Sequence, residues 1–124
     1  MELKAGLTYT SETVVSDANS AKHWGSGALD VFATPAMVAL MENAAMKAVK
    51  EALPEGSDTV GTAVNVNHVR ATGLGRTVRA TATLTEVDGR RLVFEVTASD
   101  PNGEIGNGTH TRFVVDREKF LGRL

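Results

Sequence analysis

The chain has 124 residues, with fifteen acidic and thirteen basic side chains, a formal net charge of −2 and no cysteine. This length predicts a single domain over residues 1–124. The charge balance argues against an electrostatic nucleic-acid binder, and the lack of cysteine excludes a disulfide framework, a thiol nucleophile and a cysteine-ligated metal. Because no apolar stretch suits a signal core or a membrane span, we expect a cytoplasmic protein outside the membrane.

The first quarter of the chain predicts a strand followed by a long loop. Residues 7–15 are rich in β-branched side chains, which favour a strand. Residues 16–33 mix Asp, Asn, Ser and Gly with a few apolar side chains. Loops of this length in small domains often cover a site.

A long apolar helix is predicted to begin at Thr34 and Pro35. Threonine is a favoured N-cap, and proline is tolerated at the first helical position because its missing N–H would lack a partner there. The pattern continues to about Leu53, where Pro54 and Gly56 end it. Such a helix is ~27 Å long and must be covered on most sides.

Glu42 lies at an unusual place on this helix. On a helical wheel, Asn43, Lys47 and Lys50 form the polar stripe, and Glu42 points roughly 110° away from its middle. A carboxylate among the neighbouring Val, Ala and Met side chains is unfavourable unless it is paired, hydrogen-bonded or neutralised. Glu42 is therefore either a base or nucleophile, or an acid at the edge of the apolar face that reaches water or an arginine.

Four antiparallel strands are predicted at 59–71, 77–87, 90–99 and 104–116, since apolar and polar residues alternate there. A helix and one sheet bury each other only if the sheet curls around the helix, which predicts an α+β fold. The side chains predicted to face the helix are Val60, Thr62, Val64, Val66 and His68 in the first of these strands, Val78, Ala80, Ala82 and Leu84 in the second, and Leu92, Phe94, Val96 and Ala98 in the third.

The Asp-Gly dipeptide at 88–89 predicts the turn between the second and third of these strands. A three-residue loop with its glycine in the left-handed conformation keeps the apolar faces together. This loop pairs Leu84 with Leu92 and sets Glu86 opposite Arg90.

His68 ends the strand face that is predicted to cover the helix. A lone histidine there is more often a satisfied core residue, but an imidazole and the Glu42 carboxylate directed into one interior would form an acid–base pair. Thr34 lies at the helix N-terminus, where backbone N–H groups are free. We interpret His23 and His110 as surface or structural residues.

The sequence resembles the hot-dog thioesterases and, among them, the fluoroacetyl-CoA thioesterase family, over roughly residues 30–120. The main evidence is the spacing of Thr34, Glu42 and His68, which lie eight and then twenty-six positions apart, as do the family's catalytic residues. Further matching motifs are Val31-Phe32-Ala33-Thr34, Leu40-Met41-Glu42, Gly61-Thr62-Ala63, Gly89-Arg90-Arg91-Leu92 and Gly108-Thr109-His110.

The resemblance implies a hot-dog fold, in which a curved antiparallel sheet wraps a long central helix. It implies a homodimer, or a tetramer built from dimers, with active sites between subunits and neither a metal nor a cofactor. The implied activity is hydrolysis of an acyl-CoA thioester to free acid and CoA. Glu42 would be the nucleophile or base, His68 the general acid–base and Thr34 a positioning group, with Gly61 and Arg112 near the substrate.

The loop before the helix departs from the family pattern. The fluoroacetyl-CoA enzyme has two phenylalanines there that form a hydrophobic lid, whereas the matching positions in this chain are Gly25 and Ala28. Trp24 and Phe32 are the aromatic side chains left to contact a substrate. We therefore expect a more open pocket and a short or medium acyl group other than fluoroacetyl.

Two other functions fit a hot-dog domain. One is a hydratase or dehydratase, and the other is an acyl-CoA-binding domain without activity. The sequence also leaves open whether the thioester is carried by CoA or by a carrier protein.

Overall fold

The computed structural model describes residues 2–124. None of its helices is long and apolar enough to cross a membrane. The elements in chain order are β1 (Thr8–Val14), α1 (Ala21–Trp24), α2 (Thr34–Val49), β2 (Ser57–His68), β3 (Thr77–Asp88), β4 (Arg91–Asp100), β5 (Gly103–Asp116) and α3 (Arg117–Gly122), with 3-10 turns at Asp17–Asn19 and Lys50–Ala52.

The five strands form one antiparallel sheet in the order β1-β3-β4-β5-β2, and α2 packs against one of its faces. The predicted inward residues of β3 and β4 are all buried, as are the small and flexible side chains of α2 that meet them. Alanines in this layer let the helix approach the sheet closely, while Met37 and Met41 fill the remaining gaps. The predicted α+β architecture is thereby confirmed.

The ends of α2 differ from the prediction. Ala33, in an extended conformation and without a side-chain cap, is the N-cap, and Thr34 is the first helical residue. The Thr34 hydroxyl is engaged elsewhere, as described below, and cannot cap the helix. At the other end α2 stops at Val49 and becomes a 3-10 turn, because Leu53 must be extended in front of Pro54.

The predicted faces of β2 were wrong before residue 63. A bulge leaves Thr62 unpaired, because Gly61 pairs with Arg112 while Ala63 pairs with the preceding residue of β5. The extra residue exchanges the two faces of the strand. Val60 therefore lies on the face away from α2, and Gly61 on the face toward it.

The predicted β3–β4 register was also wrong. The turn has two residues, 89–90, and Leu84 pairs with Phe94 rather than with Leu92. A bulge at Thr85, whose hydroxyl donates to the Val93 carbonyl at 3.1 Å, restores the apolar face that a two-residue loop alone would turn outward. Gly89 does adopt the predicted left-handed conformation, with φ +59.

Smaller differences occur at other element ends. The first predicted strand after the helix ends at His68 rather than at residue 71. Glu86 forms an ion pair with Arg91, with 2.6 Å between Oε2 and Nη1, instead of facing Arg90. The altered register accounts for this change of partner. The helix α3 was not predicted.

Hydrogen bonds within the segment between β1 and α2 hold it in a folded-back conformation. Ser20 and Phe32 form an isolated bridge, and the indole N–H of Trp24 donates to the Ala18 carbonyl at 2.7 Å. The segment thus folds back on itself and delivers the chain to the start of α2.

Replacing Gly108 by alanine should destabilise the sheet. A Cβ at this position would overlap the Asn65 carbonyl oxygen and lie 2.6 Å from Val66 Cα, and the φ of +156 is unfavourable for other residues. We expect a loss of about 3 kcal/mol, seen as a lower urea midpoint by circular dichroism.

Gly73 is the matched control, since a Cβ there would meet no heavy atom within 4 Å. Its alanine variant should stay within about 0.5 kcal/mol of the parent protein. Equal midpoints for the two variants would contradict the close contact between β2 and β5.

Candidate active site

Thr34 and His68 form a hydrogen-bonded pair. The Thr34 hydroxyl at the start of α2 lies 2.8 Å from His68 Nδ1 at the end of β2. Both line a cavity of about 280 Å³, together with Phe32 and residues 69–71. The structure thus brings these two predicted site residues together at the N-terminus of the long helix, where free backbone N–H groups are available.

Within the described part of the chain, His68 makes a side-chain hydrogen bond through only one of its two ring nitrogens. Its Nε2 is buried and has no hydrogen-bond partner in residues 2–124. Burial lowers the pKa of His68 below the usual 6.5, so the ring is neutral near pH 7. A neutral imidazole has one donor and one acceptor nitrogen. The Thr34 hydroxyl can donate a hydrogen bond to Nδ1 in one tautomer and accept one from it in the other.

Glu42 lies in a second polar group, on the middle of α2. A Cβ at position 61 would lie 2.6 Å from Glu42 Oε2, so the glycine leaves room for the carboxylate to lie directly against the sheet. Arg112 Nη1 lies 3.7 Å from the same oxygen. The Glu42 side chain is 40% exposed and that of Arg112 only 8%, so the carboxylate lies between the buried guanidinium and the solvent.

Three hydrogen bonds fix the Arg112 guanidinium. Nε donates to the Thr59 hydroxyl at 2.8 Å, Nη2 to the Thr59 carbonyl at 2.9 Å, and Nη1 to His110 Nε2 at 3.1 Å. Because a guanidinium only donates, His110 Nε2 must accept, and Nδ1 carries the proton that is donated to the Ala63 carbonyl at 2.8 Å. These three hydrogen bonds hold the Arg112 guanidinium in one orientation.

His110 is neutral in this arrangement and is a part of the site that sequence reasoning left as surface or structural. Burial lowers its pKa, and the adjacent Arg112 cation lowers it further, although the bond to Ala63 opposes both. Its position two residues before Arg112 on one strand face was visible in the sequence. The bulge that brings the Ala63 carbonyl to its ring was not.

A single chain keeps these two polar groups apart. Gly61 and His68 are seven residues apart on β2, which corresponds to roughly 20 Å. Thr34 and Glu42 are separated by ~12 Å along the helix axis. Glu42 therefore does not share a pocket with His68 inside one subunit. Residues 2–124 also contain no cluster of three or more His, Asp or Glu side chains suited to a metal ion.

The two predicted aromatic residues occupy different places. Phe32 is 2% exposed and lines the cavity beside Thr34. Trp24 is 45% exposed and instead lines a shallow groove of about 230 Å³ beside Leu40 and Asn43 of α2. Phe32 lines this groove as well and thus separates it from the cavity.

A long helix covered by one five-stranded antiparallel sheet, in this strand order, is a hot-dog fold. Residues 15–118 match the family model of the fluoroacetyl-CoA-specific thioesterase, and the chain belongs to this family.

Known relatives agree with this assignment. The fluoroacetyl-CoA thioesterase of Streptantibioticus cattleyicolor is 40% identical over 98% of this chain and 92% of its own length. A solved structure of a fluoroacetyl-CoA thioesterase superposes with a TM-score of 0.91 at 39% identity, covering 99% of this chain and 96% of the other. A variant of that enzyme in complex with fluoroacetate and CoA gives a TM-score of 0.89 at 41% identity, covering 95% and 99%. The predicted class, a thioester hydrolase, is confirmed.

Stability should depend on pH through the two buried histidines. Their folded pKa values lie below 6.5, so stability is complete above pH 6.5 and falls below it, where the unfolded chain binds protons that the folded chain does not. The fall is at most about 1.4 kcal/mol per pH unit for each histidine. Chemical denaturation of a His110→Gln variant between pH 7 and pH 5 should show a flatter dependence than the parent protein.

The exposed His23 provides the control, because its Gln variant should follow the parent curve. A His110→Gln curve parallel to that of the parent would show that His110 is protonated equally in both states.

Proposed function

We propose that the chain hydrolyses a short or medium acyl-CoA thioester to free acid and CoA, at active sites shared between two subunits. The observation that carries the proposal is the placement of the motif residues at two separate points along one open sheet edge. Thr34 and His68 are at one end of β2, and Glu42 is beside Gly61, the fifth of the 12 residues of this strand. The complex of a relative with fluoroacetate and CoA supports CoA as the carrier.

An antiparallel dimer would bring these two points together. β2 is the last strand of the sheet, so its outer backbone groups have no strand partner among the described residues. Val64 faces the α2 side of this strand and is nevertheless 42% exposed. Two β2 strands that pair around a two-fold axis at Asn65 set this residue opposite Asn65 of the partner subunit. Because the bulge adds Thr62 to each strand, Gly61 of one subunit then lies opposite His68 of the partner subunit. Each dimer then contains two sites.

The proposed chemistry uses a carboxylate from one subunit and an imidazole from the other. In the water route, Glu42 takes a proton from water as hydroxide adds to the carbonyl carbon, the C–S bond breaks, and the proton reaches the departing thiolate through His68. In the covalent route, Glu42 itself adds to the carbonyl carbon and displaces the thiolate. His68 then takes a proton from the water that hydrolyses the anhydride, which frees Glu42, and passes this proton to the thiolate. Either route gives one acid and one thiol.

The other residues have supporting roles. The Thr34 hydroxyl holds the His68 ring through Nδ1 and leaves Nε2 for the proton transfers. Backbone N–H groups at the start of α2 face the developing oxyanion. Arg112 and Gly61 keep the Glu42 carboxylate at the sheet surface.

The segment before α2 supports an open pocket. Gly25 ends α1 with φ +72, a conformation that phenylalanine adopts only with strain, and Ala28 is exposed. Trp24 is directed to the separate groove on α2. No aromatic side chain of this segment except Phe32 therefore lines the cavity at Thr34 and His68.

Mixing two inactive variants tests the shared site. Glu42→Gln and His68→Ala should each reduce thiol release by at least about 100-fold. When the two are unfolded together and refolded, half of the dimers contain one of each, and one of their two sites has both groups intact. The mixture should regain about a quarter of the native activity.

The control mixture combines Glu42→Gln with the double variant Glu42→Gln/His68→Ala, and it should stay inactive. No recovery in the first mixture would place both groups of each site in one subunit. Native turnover by Glu42→Gln would end the proposed mechanism.

A panel of acyl-CoAs tests the substrate. With acetyl-, butyryl-, hexanoyl- and fluoroacetyl-CoA, thiol release should show kcat/KM for fluoroacetyl-CoA within about tenfold of that for acetyl-CoA. A strong preference for fluoroacetyl-CoA would contradict the open pocket. With crotonyl-CoA, loss of enoyl absorbance without thiol release would indicate a hydratase, and no change with any of them would indicate a binding domain.

A further inference from the structure

A second cavity of about 410 Å³ lies among α3, the end of β5 and the β3–β4 turn. Its basic side chains are Arg90 from the turn and Lys119 and Arg123 from α3, and its apolar side chains include Val114 and Phe120. We call this cavity the basic cleft. The mechanism proposed above makes no use of it.

The basic cleft concentrates positive charge that has no ion-pair partner within residues 2–124. Five of the thirteen Lys and Arg side chains form ion pairs in this described range, and none of these five lines the cleft. Asp116 is the one carboxylate there, and its Oδ1 accepts the Lys119 backbone N–H as the N-cap of α3. Three cations against one carboxylate leave a net charge of +2, in a chain whose formal charge is −2. Such a cleft favours an anionic ligand.

The basic cleft lies on the same sheet face as Glu42. Counted away from the Gly61–Arg112 pair, the next pairs of β2 and β5 on that face are Thr59–Val114 and Ser57–Asp116. Val114, Ser57 and Asp116 line the cleft. The four residues from Gly61 to Ser57 span roughly 13 Å. A ligand with its reactive group at Glu42 and its charged group at the end of a flexible arm would fit this separation.

We infer that the basic cleft binds the phosphate-bearing nucleotide of CoA while the thioester lies at Glu42, an inference that rests on the proposed function. Guanidinium and ammonium groups donate charge-assisted hydrogen bonds to phosphate. The half-buried Phe120 ring offers a surface on which adenine can pack. A carrier protein would present a single phosphodiester and no 3′-phosphate, so three free cations in a concave site favour CoA itself.

The test compares substrates with and without the nucleotide. In the double variant Arg90→Ala/Arg123→Ala, KM for acetyl-CoA should rise about tenfold with little change in kcat, whereas KM for acetyl-pantetheine should not change. The control Lys4→Ala/Arg76→Ala removes two other exposed cations that form no ion pair with any residue the structure describes, and both KM values should stay at the native level. Calorimetry with free CoA should show the same loss of affinity in the first variant alone.

Several results would overturn the inference. They are an unchanged KM for acetyl-CoA, an equal rise for both thioesters, and a preference of the native protein for an acyl-carrier-protein thioester that the double variant abolishes. Failure of the proposed function is distinct, since the native protein would then release no thiol from any thioester. The calorimetric comparison with free CoA still decides whether the cleft binds the nucleotide.

Discussion

The buried guanidinium of Arg112 is the constraint on which the arrangement of the site depends. A cation removed from water must have its donors satisfied, and here the partners come from β2, β5 and α2. Thr59 and His110 hold the fork, and Glu42 supplies the only carboxylate within 4 Å among the described residues. His110 in turn binds the carbonyl of Ala63, just after the bulge. One buried charge thus links the helix to the edge strand and sets the position of the carboxylate.

The bulge in β2 connects this constraint to the chemistry. It turns Gly61 toward α2 and gives Glu42 room at the sheet surface, while the residues after it keep His68 on the same face. The two proposed catalytic groups are consequently held apart along one strand, with His68 at its end and Glu42 beside Gly61. In the proposed dimer, the two-fold axis brings Glu42 of one subunit close to His68 of the partner subunit. The basic cleft extends the same face of β2 and β5 in the other direction, so one strand pair would orient the whole substrate.

Period-two and helical patterns were sufficient to predict the architecture, since burial on one face governs most strand residues. They failed at Thr62 and Thr85, because a single unpaired residue leaves no mark in the local pattern and only the partner strand shows it. Thr34 was misassigned as a cap because its hydroxyl bonds to His68, 34 positions away. The role of His110 likewise depends on Ala63, 47 positions away. Local propensity could not anticipate partners so distant in the chain.

The open edge of β2 has a consequence for the newly made chain. From Thr59 to Asn67 this strand contains no lysine, glutamate, aspartate, arginine or proline, the residues that usually prevent irregular strand addition at a sheet edge. A folded subunit whose β2 edge is unpaired therefore offers free backbone groups to any extended segment that it encounters. In the proposed dimer this edge is covered, so dimer assembly would compete with aggregation, and the yield of native protein would depend on how fast two copies meet.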